Sequence, residues 1–122
     1  MRVLLIDDDD DLCQLTKKVL TKYGYEVDAF CDAPAGITRA RQYKPNLILM
    51  DIMLPGLSGP EIVKSLKSDA VLKAVPVVFL TGLVTGEEKG LEGVAAGGLI
   101  YPALGKPYEI ERLLEIVKKY AR

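Results

Sequence analysis

Leu47-Ile48-Leu49-Met50-Asp51, running on into Ile52-Met53-Leu54-Pro55-Gly56, is the stretch that decides the fold. Four apolar residues meet one carboxylate, and a turn follows. An unbroken apolar run has no wet face. Bounded by Pro45 and by Pro55-Gly56, it reads as a strand buried on both sides. Such strands belong to parallel sheets covered by helices. This reading places Asp51 at the carboxyl end of a central strand, the edge where open α/β sheets hold their ligands.

Toward the N-terminus, Arg2 to Ile6 is a second buried run, ending in Asp7-Asp8. Asp9 or Asp10 is placed to cap a first helix. Leu12, Leu15, Val19, Leu20 and Tyr23 form its apolar stripe, with Lys17, Lys18 and Lys22 outside it. Gly24 is read as the residue just past its end. Tyr25 to Phe30 alternates, as an edge strand with one wetter face does. Pro34 suits the first turn of a second helix carrying Ile37, Ala40 and Tyr43, which Pro45 stops.

Beyond the opening strand a loop is expected from Ile52 to Gly59. Pro60 then starts a third helix, with Ile62, Val63 and Leu66 inward and Lys64 and Lys67 outward. Val77 to Leu80 is a fourth buried run, ending at Thr81. Over 82–98 a fourth helix is expected, opened by Glu87-Glu88, with Leu91, Val94 and Ala95 inward. Gly90 and Gly93, each costing about 1 kcal/mol against alanine, make it the weakest of the set. A short fifth strand within 99–104 precedes Lys106-Pro107. The last helix carries Ile110, Leu113, Leu114 and Val117, with Lys118, Lys119 and Arg122 suiting its C-terminal dipole. Five strands alternating with five helices predict an α/β fold: a doubly wound parallel sheet with helices on both faces.

A chain of 122 residues predicts one domain over 1–122, with enough length for a core of its own. The net charge is -1, from 16 basic and 17 acidic residues, so charge draws it to neither nucleic acid nor a membrane. The longest apolar run is far too short to span a bilayer. The first strand meets acid too soon for a signal peptide, and Met1 directly before it reads as a natural N-terminus. A cytoplasmic protein is expected, with Cys13 and Cys31 reduced, mostly buried and used for packing. There is no histidine. That excludes histidine triads, most zinc sites and a phosphohistidine within this chain.

A parallel sheet gathers the carboxyl ends of its strands on one edge. Asp7-Asp8 end the first strand, Asp51 the third and Thr81 the fourth, and Lys106 follows the fifth. Clustered carboxylates repel unless a cation joins them. A hard divalent ion with oxygen ligands resolves this, and magnesium is the usual choice beside phosphate. The Thr81 hydroxyl and the Lys106 ammonium suit other sides of a phosphoryl group. An aspartate can itself be the nucleophile, giving an aspartyl phosphate.

These residues resemble the receiver domain of bacterial two-component response regulators. The matching features are the acidic pair Asp7-Asp8, Asp51-Ile52-Met53-Leu54-Pro55 with Gly59, the hydroxyl of Thr81, and Lys106-Pro107. The resemblance covers the whole chain and implies a flavodoxin-like sheet in the order 2-1-3-4-5. It implies Asp51 as phosphoacceptor and Asp8 and Asp51 as direct Mg2+ ligands, with Asp7 acting through water and the Met53 carbonyl as a further ligand. Thr81 is the implied switch hydroxyl, and Lys106 the lysine paired with the phosphoryl group. The implied donors are a sensor histidine kinase, a phosphotransfer protein or a small phosphodonor. A downstream output protein or domain would bind the face of the fourth helix, fifth strand and fifth helix. The implied chemistry is self-catalysed phosphorylation and slow hydrolysis, in a signalling domain rather than an enzyme. Two departures stand out. The aromatic residue usual before the lysine aligns with Ala103, while Tyr101 lies two residues earlier and Pro102 cannot donate to a ladder. Met53 and Leu83 are apolar beside the expected path of water, which predicts slow dephosphorylation.

Each signal has a plainer reading by itself. Asp9, Asp10 and Asp11 suit a solvated cap, Asp51 a turn cap, Thr81 a helix cap and Lys106 a surface lysine. The Asp7-x-Asp9-x-Asp11 spacing starts like a calcium loop, but Leu12 and Lys18 stand where that loop needs Gly and Glu. Two other functions compete. A small-molecule phosphohydrolase with an aspartate nucleophile needs a substrate cap, for which the chain has no insertion. A pseudo-receiver, folded but never phosphorylated, is opposed by the intact Asp7, Asp8, Asp51, Thr81 and Lys106.

Overall fold

In chain order the elements are β1 (Arg2–Ile6), α1 (Asp10–Lys22), β2 (Glu26–Phe30), α2 (Ala33–Tyr43), β3 (Leu47–Asp51), β4 (Met53–Leu54), β5 (Leu57–Ser58), α3 (Gly59–Lys67), β6 (Val77–Thr81), β7 (Gly93–Ala96), β8 (Leu99–Gly105) and α4 (Ile110–Tyr120). The computed structural model describes the backbone of residues 1–51, 53–54, 57–81, 93–96, 99–105 and 108–121. It describes side chains there except at 33, 53–54, 57–60, 81, 93–96 and 99–101.

One six-stranded sheet runs in the order β2-β1-β3-β6-β8-β7. Its first five strands pair in parallel, so the order 2-1-3-4-5 holds. Side chains alternate across a strand, and each face receives one half of the core. On one face Leu4, Ile6, Ile48, Met50, Val77 and Phe79 pack with Ala40 of α2 and with Ile62, Val63 and Leu66 of α3. On the other, Val3, Leu5, Leu47, Leu49, Val78 and Leu80 pack with Cys13 and Leu20 of α1 and with Leu113, Ile116 and Val117 of α4. All five residues of β3 are buried. That is why its sequence shows no alternation. At about 1.5–3 kcal/mol for each large apolar side chain buried, Leu47, Ile48, Leu49 and Met50 together contribute on the order of 6–12 kcal/mol.

Helix ends follow the expected chemistry. Asp9 caps α1, its carboxylate accepting from Leu12 N at 3.1 Å, and Gly24 past its end takes φ +96°. Asp32 caps α2 in the same way, accepting from Ala35 N at 2.8 Å, with Pro34 in the first turn.

Several expectations are corrected. The buried face of α1 is Cys13, Thr16 and Leu20, whereas Leu15 and Tyr23 are exposed. The helix turns Cys13 and Thr16 inward, where each finds a hydrogen-bond partner: the Asp7 carbonyl for the Cys13 thiol and the Tyr108 hydroxyl for Thr16. Ile110 is exposed and Ile116 takes a core place in α4. Cys31 is exposed, not buried. Lys67 is half-buried, its Nζ donating to the carbonyls of Lys73 and Val75, and burial pushes its pKa down. The stretch 52–59 contains a short ribbon, with Met53 opposite Ser58 and Leu54 opposite Leu57. Four helices stand among the described residues. Of the helix expected over 82–98, residues 82–92 and 97–98 lie outside the described residues. Val94 and Ala95 belong to β7, which pairs antiparallel with β8. Ala96 lies opposite Leu99, with only Gly97-Gly98 between them in sequence. Glycine pairs between apolar runs are hairpin composition.

Candidate acidic site at the carboxyl edge

The site is built by strand register. Ile6 lies opposite Met50, so Asp7 and Asp51 leave β1 and β3 at the same level. Asp51 in turn lies opposite Leu80, and Thr81 opposite Gly105, which brings the ends of β6 and β8 to the same edge.

Asp7 is held from three sides. Its N–H donates to the Phe30 carbonyl at 3.0 Å, continuing the β1–β2 ladder. Its Oδ1 accepts from Asp9 N–H at 3.0 Å. Its carbonyl accepts from the Cys13 thiol at 3.4 Å. Burial first, and then the nearby Asp7 carboxylate, push the Cys13 pKa up to about 12, so this thiol stays protonated and keeps donating at neutral pH. The start of α1 is therefore fastened directly to Asp7. Sequence reasoning missed both fastenings, because a backbone N–H and a cysteine inside a helix carry no motif.

Asp7, Asp8 and Asp51 each offer a carboxylate oxygen, and these oxygens lie within 4.8 Å of one another. Asp7 and Asp51 are buried at 0% and 6% exposure, while Asp8 faces solvent. Two buried carboxylates and one open to water make an oxygen-only donor set with an accessible side. Soft or borderline metals prefer sulfur and nitrogen; a hard divalent cation takes oxygens and offsets the mutual repulsion. The residues present therefore fit Mg2+.

Thr81 ends β6 at this edge, with its side chain outside the described residues. Met53 opens β4, two residues past Asp51. Lys106, Pro107 and Leu83 lie outside the described residues. Ala103 is half-buried against the core and pairs with Phe79, at the start of the parallel ladder just after Pro102. Tyr101 pairs by backbone with Val94.

The family of the response regulator receiver domain matches over residues 3–118. The polar-differentiation response regulator DivK of Brucella anthropi is 33% identical over 119 residues, which cover 97% of this chain and 94% of that protein. The DNA-binding dual master transcriptional regulator RpaA of Synechocystis is 34% identical over 121 residues, 99% of this chain but 49% of its own length. Among solved structures, the chemotaxis protein CheY4 of Vibrio cholerae superposes with a TM-score of 0.83 at 29% identity, covering 98% of this chain and 97% of that one.

Proposed function

The chain belongs to the response regulator receiver domain family of two-component signalling, and on that premise we propose that it accepts a phosphoryl group on Asp51 in a magnesium-dependent reaction. The observation that carries this is the convergence of the Asp7, Asp8 and Asp51 oxygens within 4.8 Å at the carboxyl edge of the sheet. A carboxylate oxygen of Asp51 forms the new bond to phosphorus as the bond to the donor's leaving group breaks, leaving an acyl phosphate. Asp51 is buried at the end of a rigid central strand, so it is aimed rather than free to wander. Asp7, Asp8, Asp51 and the Met53 carbonyl would hold Mg2+, which supplies positive charge to the transferring phosphoryl oxygens. Thr81 would donate its hydroxyl to the phosphoryl group, and Lys106 would pair with it.

The donor is a sensor histidine kinase, a phosphotransfer protein or a small acyl phosphate, since this chain holds no histidine. The reader of the phosphorylated state is a separate output protein or domain. The switch face assigned to the fourth helix is not retained for 93–96, which form a strand; the face of β8 and α4 is kept. Residues 1–122 act as one signalling unit in the cytoplasm. Among the described residues no helix is long and apolar enough to cross a membrane.

The test is incubation with acetyl phosphate and Mg2+, read by intact mass, with Asp51→Asn alongside. One phosphoryl adduct is expected on the native chain, none on the variant and none in EDTA. A native chain that stays unmodified with every donor is a phosphorylation-independent module instead, and an adduct surviving in Asp51→Asn moves the acceptor elsewhere.

A further inference from the structure

Both cysteines of the chain stand against Asp7. Ile6 of β1 lies opposite Phe30 of β2, and the ladder runs one step further, with Asp7 N–H donating to the Phe30 carbonyl at 3.0 Å. Carried one residue on, the same register sets Cys31 opposite Asp7. Side chains alternate across a strand. Phe30 packs into the core half under α2 and α3, and Ala29 into the half under α1 and α4, so Cys31 falls on the α1 side. On that side Cys13 of α1, 4% exposed, donates its thiol to the Asp7 carbonyl at 3.4 Å. The two thiols are electrostatic neighbours as well: after burial and the Asp7 carboxylate, a charge on Cys31 is the next cause that pushes the Cys13 pKa up. Cys31 is exposed and Cys13 is buried, so one thiol meets solutes and the other lies behind it.

We propose that Cys31 and Cys13 are a redox pair: a peroxide closes them into a reversible disulfide, and closure weakens the cation site at Asp7. The effect on the site rests on the magnesium-dependent phosphoacceptor reading above. The Cys31 sulfur attacks a peroxide oxygen, the O–O bond breaks, and a sulfenic acid and water are left. The Cys13 sulfur then displaces the hydroxyl from the Cys31 sulfur. The S–S bond forms as the S–O bond breaks, and the hydroxyl leaves as water with the Cys13 proton. Two thiols are oxidised, and one hydrogen peroxide is reduced to two waters. A dithiol reverses the closure by exchange. A disulfide needs its Cβ atoms about 3.5–4.5 Å apart. Cys31 lies past the end of β2, so the adjustment falls there and not on α1. The proton lost in the second step is the one that Cys13 donates to the Asp7 carbonyl. Closure therefore removes one of the fastenings on Asp7. Partners that orient a metal ligand are worth about 10–100-fold in metal affinity or activity.

The test treats the full chain with hydrogen peroxide and counts thiols in denaturant by iodoacetamide and intact mass. Cys31→Ser, treated alike, controls for oxidation elsewhere. We expect the native chain to lose both thiols, to weigh two hydrogens less and to run as a single chain on a non-reducing gel. Dithiothreitol restores both thiols. Acetyl-phosphate labelling is then followed against Mg2+ concentration. The oxidised chain should need about tenfold more Mg2+ for its half-maximal rate, and dithiothreitol should reverse this. Peroxide-treated Cys31→Ser should keep the native Mg2+ dependence. An oxidised Cys31 beside a Cys13 thiol that still alkylates in denaturant, or a disulfide between two chains, overturns the pairing. A disulfide within the chain that leaves the half-maximal Mg2+ concentration unchanged overturns its effect on the cation site. A reduced native chain that takes no phosphoryl group overturns the function instead, and thiol count and mass still decide the pairing.

Discussion

Lys44 closes α2 in a backbone conformation that side chains rarely adopt. It has φ 52° and ψ 64°, in the left-handed region, and its N–H donates to the Ala40 carbonyl at 2.9 Å. Pro45 stops the helix, because the residue before a proline is pushed out of the right-handed helical region, and Lys44 closes it in the left-handed conformation common at helix C-termini. A side chain in the left-handed region costs about 1–2 kcal/mol, and glycine does not pay it. Glycine loses more backbone freedom on folding, by roughly 0.5–1 kcal/mol. Lys44→Gly should therefore stabilise the fold by about 0.5 kcal/mol net, seen as a higher urea midpoint with an unchanged slope. A lower midpoint would show that the lysine side chain matters more than its backbone. The two cysteines invite a second residue-level test. Cys13 is buried with its pKa pushed up to about 12, while Cys31 is exposed. Thiolates, not thiols, react with iodoacetamide. At pH 8 the folded chain should take one adduct, on Cys31, and denaturant should release the second site. Rapid labelling of Cys13 without denaturant would contradict the packing of α1 against Asp7.

At the scale of elements, α2 approaches β1 through Gly36. A Cβ added there would stand 2.6 Å from Ile6 Cδ1 and 2.8 Å from Ile6 Cγ1, and Ile6 is fully buried. Alanine would gain about 1 kcal/mol in helix propensity. Overpacking a filled core costs typically about 1–3 kcal/mol, so Gly36→Ala is expected to destabilise. Ile6→Val removes Cδ1 and should relieve part of that cost, so the double variant is less destabilised than the sum of the singles. Strict additivity in urea unfolding would mean that α2 moves away as a body. The same elements show what a sequence can and cannot reveal. β3 is legible because a strand buried on both faces needs an unbroken apolar run. The acidic site is legible because register, not contact chemistry, delivers Asp7 and Asp51 to one edge. The face of α1 is not legible, since Thr16 is paired with a residue 92 positions away and apolar periodicity cannot register a buried polar pair. β7 is not legible either. Leu91, Val94 and Ala95 match a helical period, and that pattern outweighs the hairpin composition of Gly97-Gly98 when neighbours in space are unknown.

For the whole molecule, parallel topology concentrates negative charge where the strands end. Two of the three clustered carboxylates are buried. Their repulsion opposes folding, and a domain's net stability is only about 5–15 kcal/mol. The site should therefore act as a stability switch read by cation. A ligand that binds only the folded state stabilises it by about 2.7 kcal/mol at a hundred times its Kd. For a domain of this size that raises Tm by about 10 °C. Asp51→Asn removes one of the repelling charges while keeping the side chain's shape. In EDTA it should melt above the native chain, because the repulsion is reduced. In saturating Mg2+ it should gain little, because a ligand charge is gone. The two melting curves should thus cross as Mg2+ is added, the native chain starting lower and rising further. Parallel curves, with Asp51→Asn gaining as much from Mg2+ as the native chain, would remove Asp51 from the cation site. A variant less stable in EDTA would show that what Asp51 gains from its surroundings outweighs its repulsion with Asp7 and Asp8.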